Sequence, residues 1–182
     1  MSRVGVPHLD PDPFREGVRF LPMSRFLERF DSLDRSVTEW MARWGLILLR
    51  ISVGIIFFWF GVLKFFPGFS PAETLATSTI QVMTGGLVEP RLALFVLATW
   101  ESLIGLGLIF GKALRATLFL LFLQMPGTVS PMLFFPELTF QQMPFVLTIE
   151  GQYIMKNLVL VSAGIVIGAT VRGGGLVTRR TP

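Results

Sequence analysis

The chain has no cysteine, which excludes disulfides, iron–sulfur clusters, thiolate zinc sites, covalent haem attachment and thiol redox catalysis together. It has one histidine, His8, remote from every apolar run, so the chain cannot supply two imidazoles to a membrane haem, and no histidine metal site is expected. Charge is scarce as well: 15% of its 182 residues are Asp, Glu, Lys or Arg, against about 25% in ordinary water-soluble domains. Catalytic signatures are absent too. The sequence holds no Gly-x-Ser-x-Gly, no phosphate-binding glycine loop and no dinucleotide fingerprint, and Gly173–Gly175 follows the last apolar run, where it opens no helix.

What is abundant is apolar: 52% hydrophobic residues, 18 of them phenylalanine. Runs at 45–66, 92–110, 113–133 and 153–171 approach the roughly 20 residues that cross a hydrocarbon core about 30 Å thick. They predict an all-α integral membrane protein, a bundle of four transmembrane helices over residues 45–171. The third run contains Met125-Pro126-Gly127 and Ser130-Pro131, so its last turns are expected to kink or unwind, against protein instead of lipid.

Basic residues set the expected orientation. Arg3, Arg15, Arg19, Arg25, Arg29, Arg35 and Arg43 precede the first run, Lys112 and Arg115 lie between the second and third, and Arg172, Arg179 and Arg180 follow the fourth. Arg91 alone stands in the two opposite loops. The positive-inside rule then places both termini in the cytoplasm. A pI near 10.3 is explained by this topology and by anionic lipid, so nucleic acid is not an expected partner. Residues 1–44 contain no short apolar core with a small-residue cleavage site, so no removable signal peptide is expected.

The flanks divide further. Residues 1–23 read as a flexible tail with Pro7, Pro11 and Pro13, and 172–182 as a second tail. Over 24–44, Phe26, Phe30, Leu33, Val37, Trp40 and Trp44 recur at spacings of four and three between charges, an amphipathic juxtamembrane helix suited to an interface or a docking partner. Ser70-Pro71-Ala72-Glu73 reads as a capping box and Gly85-Gly86 as a stop, bounding a short helix on the outer side.

A charge at mid-membrane costs at least about 2.5 kcal/mol, so those inside the runs are the candidate site. Arg50, Gly54, Phe57, Gly61 and Lys64 share one face of the first helix, and Ala98, Glu101, Gly105, Leu108 and Lys112 share one face of the second. At about 1.5 Å per residue, Arg50 lies about 7 Å and Glu101 about 13 Å from the ends of their runs, which predicts an Arg50–Glu101 pair. Glu150, Lys156 and Asn157 near the start of the fourth run are further ligand or proton-relay candidates; Glu150, Gln152 and Lys156 are expected to converge with Lys64, the alternative being that the two lysines snorkel to the interface. Gly107-x-x-x-Gly111 and Gly164-x-x-x-Gly168 are small-residue patterns of helix packing, with Gly54, Gly61 and Gly105 in the same role.

The stretch Leu49-Arg50-Ile51-Ser52-Val53-Gly54, continued by Phe60-Gly61-Val62-Leu63-Lys64-Phe65-Phe66-Pro67-Gly68 and Ser70-Pro71-Ala72-Glu73, resembles the first span of DoxX-like membrane proteins. Their YkgB branch, which includes reactive-chlorine-resistance proteins, is the most similar. Glu101 with Gly105, Gly111 and Arg115 agrees, as does Glu150-Gly151-Gln152-Tyr153 through Lys156-Asn157-Leu158. The resemblance covers about 45–171 and implies a four-helix inner-membrane bundle, sometimes a subunit of a quinone-linked oxidoreductase or of an oxidant-protective assembly.

Three functions follow. In the first, the chain is a non-catalytic subunit or accessory factor of a membrane redox or oxidant-defence system, with Arg50, Glu101 and Lys64 holding a quinone-like ligand and a redox enzyme as partner. In the second it is a small homo-oligomeric transporter or proton-linked channel using Glu101. In the third it is a structural scaffold whose ion pair sets helix register.

Overall fold

In the computed structural model, residues 21–175 are described, with side chains from Phe30 onward. The chain divides into two compact units, Met1–Trp40 and Met41–Pro182. The first helix, α1 (Leu21–Leu63), runs through both. Within the first unit, Leu33, Val37 and Trp40 are exposed, each more than half, along the predicted apolar face. Asp31 and Arg35 pair at 2.8 Å one turn apart, both exposed, where such pairs contribute little.

The second unit holds the rest of α1, then α2 (Glu73–Thr84), α3 (Pro90–Phe110), α4 (Leu114–Val129), the single turns α5 (Pro131–Phe134) and α6 (Pro136–Thr139), a hairpin of β1 (Phe140–Gln142) and β2 (Val146–Leu147), and α7 (Ile149–Thr170). Four helical stretches, Phe30–Leu63, Pro90–Phe110, Leu114–Phe134 and Ile149–Thr170, are long and apolar enough to cross a membrane. That is the number the apolar runs predict. The fold is therefore mainly helical, with one correction: the segment before α7 carries a two-stranded antiparallel hairpin that hydropathy does not reveal.

The core lies where α1, α3, α4 and α7 meet: Val53 and Phe57, Ile104 and Leu108, Leu118, Leu121 and Met125, Ala163 and Ile167. Glycines bring α1 and α3 within backbone contact. A Cβ on Gly54 would lie 2.9 Å from the Ile109 nitrogen, one on Gly61 2.7 Å from the Ser102 nitrogen, and one on Gly105 would overlap the Phe58 backbone. In lipid, where no hydrophobic force drives helices together, such close backbone packing supplies the attraction. Gly107 faces Thr117 across α3 and α4, and Gly164 faces Phe122 across α7 and α4.

The expected break in the third run is located, and one local expectation is corrected. The third apolar helix passes through Pro126 without interruption and breaks at Ser130, after which Pro131 opens α5. Thr128 Oγ1 and Ser130 Oγ donate to the Met125 and Gly127 carbonyls in these last turns. The break is buried, with Ser130 Oγ 3.7 Å from Met83 Sδ of α2. The capping box does not form: α2 begins at Glu73 with no side-chain cap, and Glu73 Oε2 instead accepts from the Gly68 nitrogen at 2.7 Å, closing the preceding turn. Gly85 does end α2, in the left-handed conformation.

Candidate functional site: a buried lysine–carboxylate–amide cluster

Helix α1 ends at Leu63, and Lys64 occupies the first residue of the turn beyond it, its backbone nitrogen bonded to the Gly61 carbonyl at 3.1 Å. Its side chain continues the buried face and meets α3: Lys64 Nζ lies 2.6 Å from Glu101 Oε2 and 3.3 Å from the Phe60 carbonyl. Glu101 Oε1 accepts from Gln124 Nε2 of α4 at 2.8 Å. The three residues are buried, with Lys64 at 9%, Glu101 at 8% and Gln124 at 8% exposure. Both carboxylate oxygens thus have a partner, and the cluster ties the end of α1 to α3 and α4. Charge-assisted bonds of this length are the strong kind, and in a low-dielectric bundle the loss of any member leaves the others costly.

The partner of Glu101 is Lys64 and not Arg50, which corrects the sequence expectation. The interhelix register puts Gly61, not Arg50, beside Glu101, and from Arg50 to Gly61 the helix rises about 16 Å. Arg50 lies instead against Gly111, the left-handed C-cap of α3, where a Cβ would overlap Nη1. Gly111 is therefore a cradle for a guanidinium, in addition to any packing role.

The group at the start of α7 does not converge on Lys64. Lys156 is exposed, its Nζ 4.7 Å from the centre of the Tyr153 ring. Glu150 and Gln152 are exposed in the first turn of α7, and Asn157 is half-buried on the same helix. Lys112 is exposed just beyond α3. Gln124 was missed in the sequence, although it is the one side-chain amide in the third apolar run and a buried amide requires a partner. Beside the cluster, Ser102 Oγ and Gln124 Oε1 are buried without a hydrogen-bond partner.

Apolar helices of membrane-crossing length, packed around a buried ionic cluster, define a multi-pass helical membrane protein. The family model for DoxX matches residues 45–135, half of the 182-residue chain, and the protein belongs to that family. The match takes in Arg50, Lys64, Glu101 and Gln124 and stops before α7. No curated protein and no solved structure matches the chain.

Proposed function

We propose that the protein is a non-catalytic accessory subunit of a redox or oxidant-defence assembly in a bacterial inner membrane, with both termini in the cytoplasm. The observation that carries this reading is the Lys64–Glu101–Gln124 cluster, a preformed polar centre inside an otherwise apolar bundle. A carboxylate held on both oxygens is suited to fixing helices and orienting a bound group. A proton-carrying carboxylate in a transporter would have to exchange those partners at every cycle. The oxidant-defence assignment comes from the similarity of the first and last spans to the YkgB branch.

The hydrogen-bonding groups left beside the cluster are of the kind a quinone-like ligand uses. The buried Ser102 hydroxyl can donate to a carbonyl, and the buried Gln124 Oε1 can accept from a hydroxyl. Bound there, such a ligand would supply electron carriage, while Lys64 and Gln124 hold Glu101 in place and the bundle excludes water. Arg50 stands outside this arrangement.

Protein purified in native lipid discs, extracted and analysed by mass spectrometry, should contain a quinone near one per chain, and Glu101→Gln should lose it while keeping its helix content. Cells lacking the protein should be more sensitive to hypochlorite and should not be rescued by Glu101→Gln. A well-folded Glu101→Gln protein with unchanged ligand content and full rescue contradicts the proposal. The saturation of the carboxylate also favours a second reading, a brace that only sets register. In that case Lys64→Met with Glu101→Met would fold and rescue like wild type.

A further inference from the structure

Arg50 is unexplained by the cluster. Its Nε is buried with no hydrogen-bond partner, and no carboxylate pairs with its guanidinium among the described residues. The C-terminal end of α3 offers it a favourable partial charge but leaves that buried N–H unmatched. Next to it lies a cavity of about 470 Å³, whose lining includes Arg43 and Arg50 and, from α1, α4 and α7, the aliphatic side chains of Leu46, Ile47, Leu114 and Ile167. Two guanidiniums beside a hydrocarbon wall are complementary to an anion that carries an apolar tail.

The position of the cavity narrows the ligand. It sits at the end of the bundle where Lys112, Arg115 and Arg172 also lie, beside the start of α4 and the end of α7. In a spanning bundle this is head-group depth, where basic pockets between helices bind lipid phosphates. Its volume falls within the roughly 300–1,000 Å³ of small-ligand sites, room for a head group and the first part of a chain. We propose that this cavity binds an anionic phospholipid, its phosphate on Arg50 and Arg43 and one acyl chain laid along Leu46, Ile47, Leu114 and Ile167.

The site is tested by native mass spectrometry of the full chain in detergent, titrated in parallel with phosphatidylglycerol, phosphatidylcholine and inorganic phosphate. Wild type should bind one phosphatidylglycerol in preference to phosphatidylcholine. Arg50→Gln, by removing a charge-assisted contact, should weaken it about tenfold or more. Arg43→Gln should weaken it less, and Lys112→Gln, a cation outside the cavity, should leave it unchanged. Should Arg50→Gln fail to fold, Ala42→Trp fills the same cavity from its wall, retains both guanidiniums and should displace the lipid. Undiminished phosphatidylglycerol binding in folded Arg50→Gln or Ala42→Trp overturns the proposal. So does equal binding of phosphatidylcholine, and so does inorganic phosphate binding as tightly as the lipid, which would make the cavity a free-anion site.

Discussion

Glu101 is the residue on which the most depends, because both of its oxygens are committed in a place where water cannot replace a lost partner. Lys64→Met should therefore destabilise the fold by about 3–5 kcal/mol, since it strands a buried carboxylate, whereas Lys64→Met with Glu101→Met should recover most or all of the loss. Thermal unfolding of detergent-solubilised protein, followed by circular dichroism, reads both. Gln124→Leu should cost less, about 1.5–3 kcal/mol, because one oxygen keeps its lysine. That Arg50, Lys64 and Glu101 face the bundle was legible from their four-and-three spacing with glycine and phenylalanine. Which cation meets Glu101 was not. Depth counted from the edge of an apolar run assumes that the helix starts at the membrane surface, but α1 is already helical well before Gly45. Register is set by contacts distant in sequence, Gly54 on Ile109 and Gly61 on Ser102, which no local pattern reports.

At the scale of elements, α1 and α3 hold together through absent side chains. Gly105→Ala places a Cβ into the Phe58 backbone, which cannot turn aside, so the helices must separate; a loss of about 1–3 kcal/mol and a disturbed Lys64–Glu101 contact should appear together in the same unfolding assay. The start of α7 depends on Thr148, whose Oγ1 accepts from the Gly151 nitrogen at 3.1 Å and donates to the Leu138 carbonyl at 2.7 Å. Thr148→Val should lower the unfolding midpoint by the equivalent of about 1 kcal/mol, and Thr148→Ser should restore it. Hydropathy alone places the start of this span at Tyr153, a turn later than the structure does, because Glu150 and Gln152 lower the average there while remaining helical. The break in the third span was legible as a proline problem, and of the two prolines it is Pro131 that marks it, α4 ending at Val129 with Ser130 packed near Met83 of α2.

For the whole molecule, four crossings put Leu87, 90% exposed between α2 and α3, on the side opposite Lys112, between α3 and α4. The absence of cysteine makes this directly testable. In intact cells Leu87→Cys should react with a membrane-impermeant maleimide, and Lys112→Cys should react only after permeabilisation; the reverse pattern would invert the orientation. The number of apolar helices was legible because crossing a hydrocarbon core demands long apolar runs. The hairpin between α6 and α7 was not, since its strands are three and two residues long, too short to show an alternating pattern. The central claim is that one buried cluster fixes how these helices meet, and a pair of double-mutant cycles in the detergent unfolding assay tests it most directly. Lys64→Met and Glu101→Met should couple by more than about 1 kcal/mol, while Arg50→Met and Glu101→Met, too far apart to share a contact, should add independently within about 0.5 kcal/mol. Coupling of Glu101 to Arg50, with none to Lys64, would contradict the account.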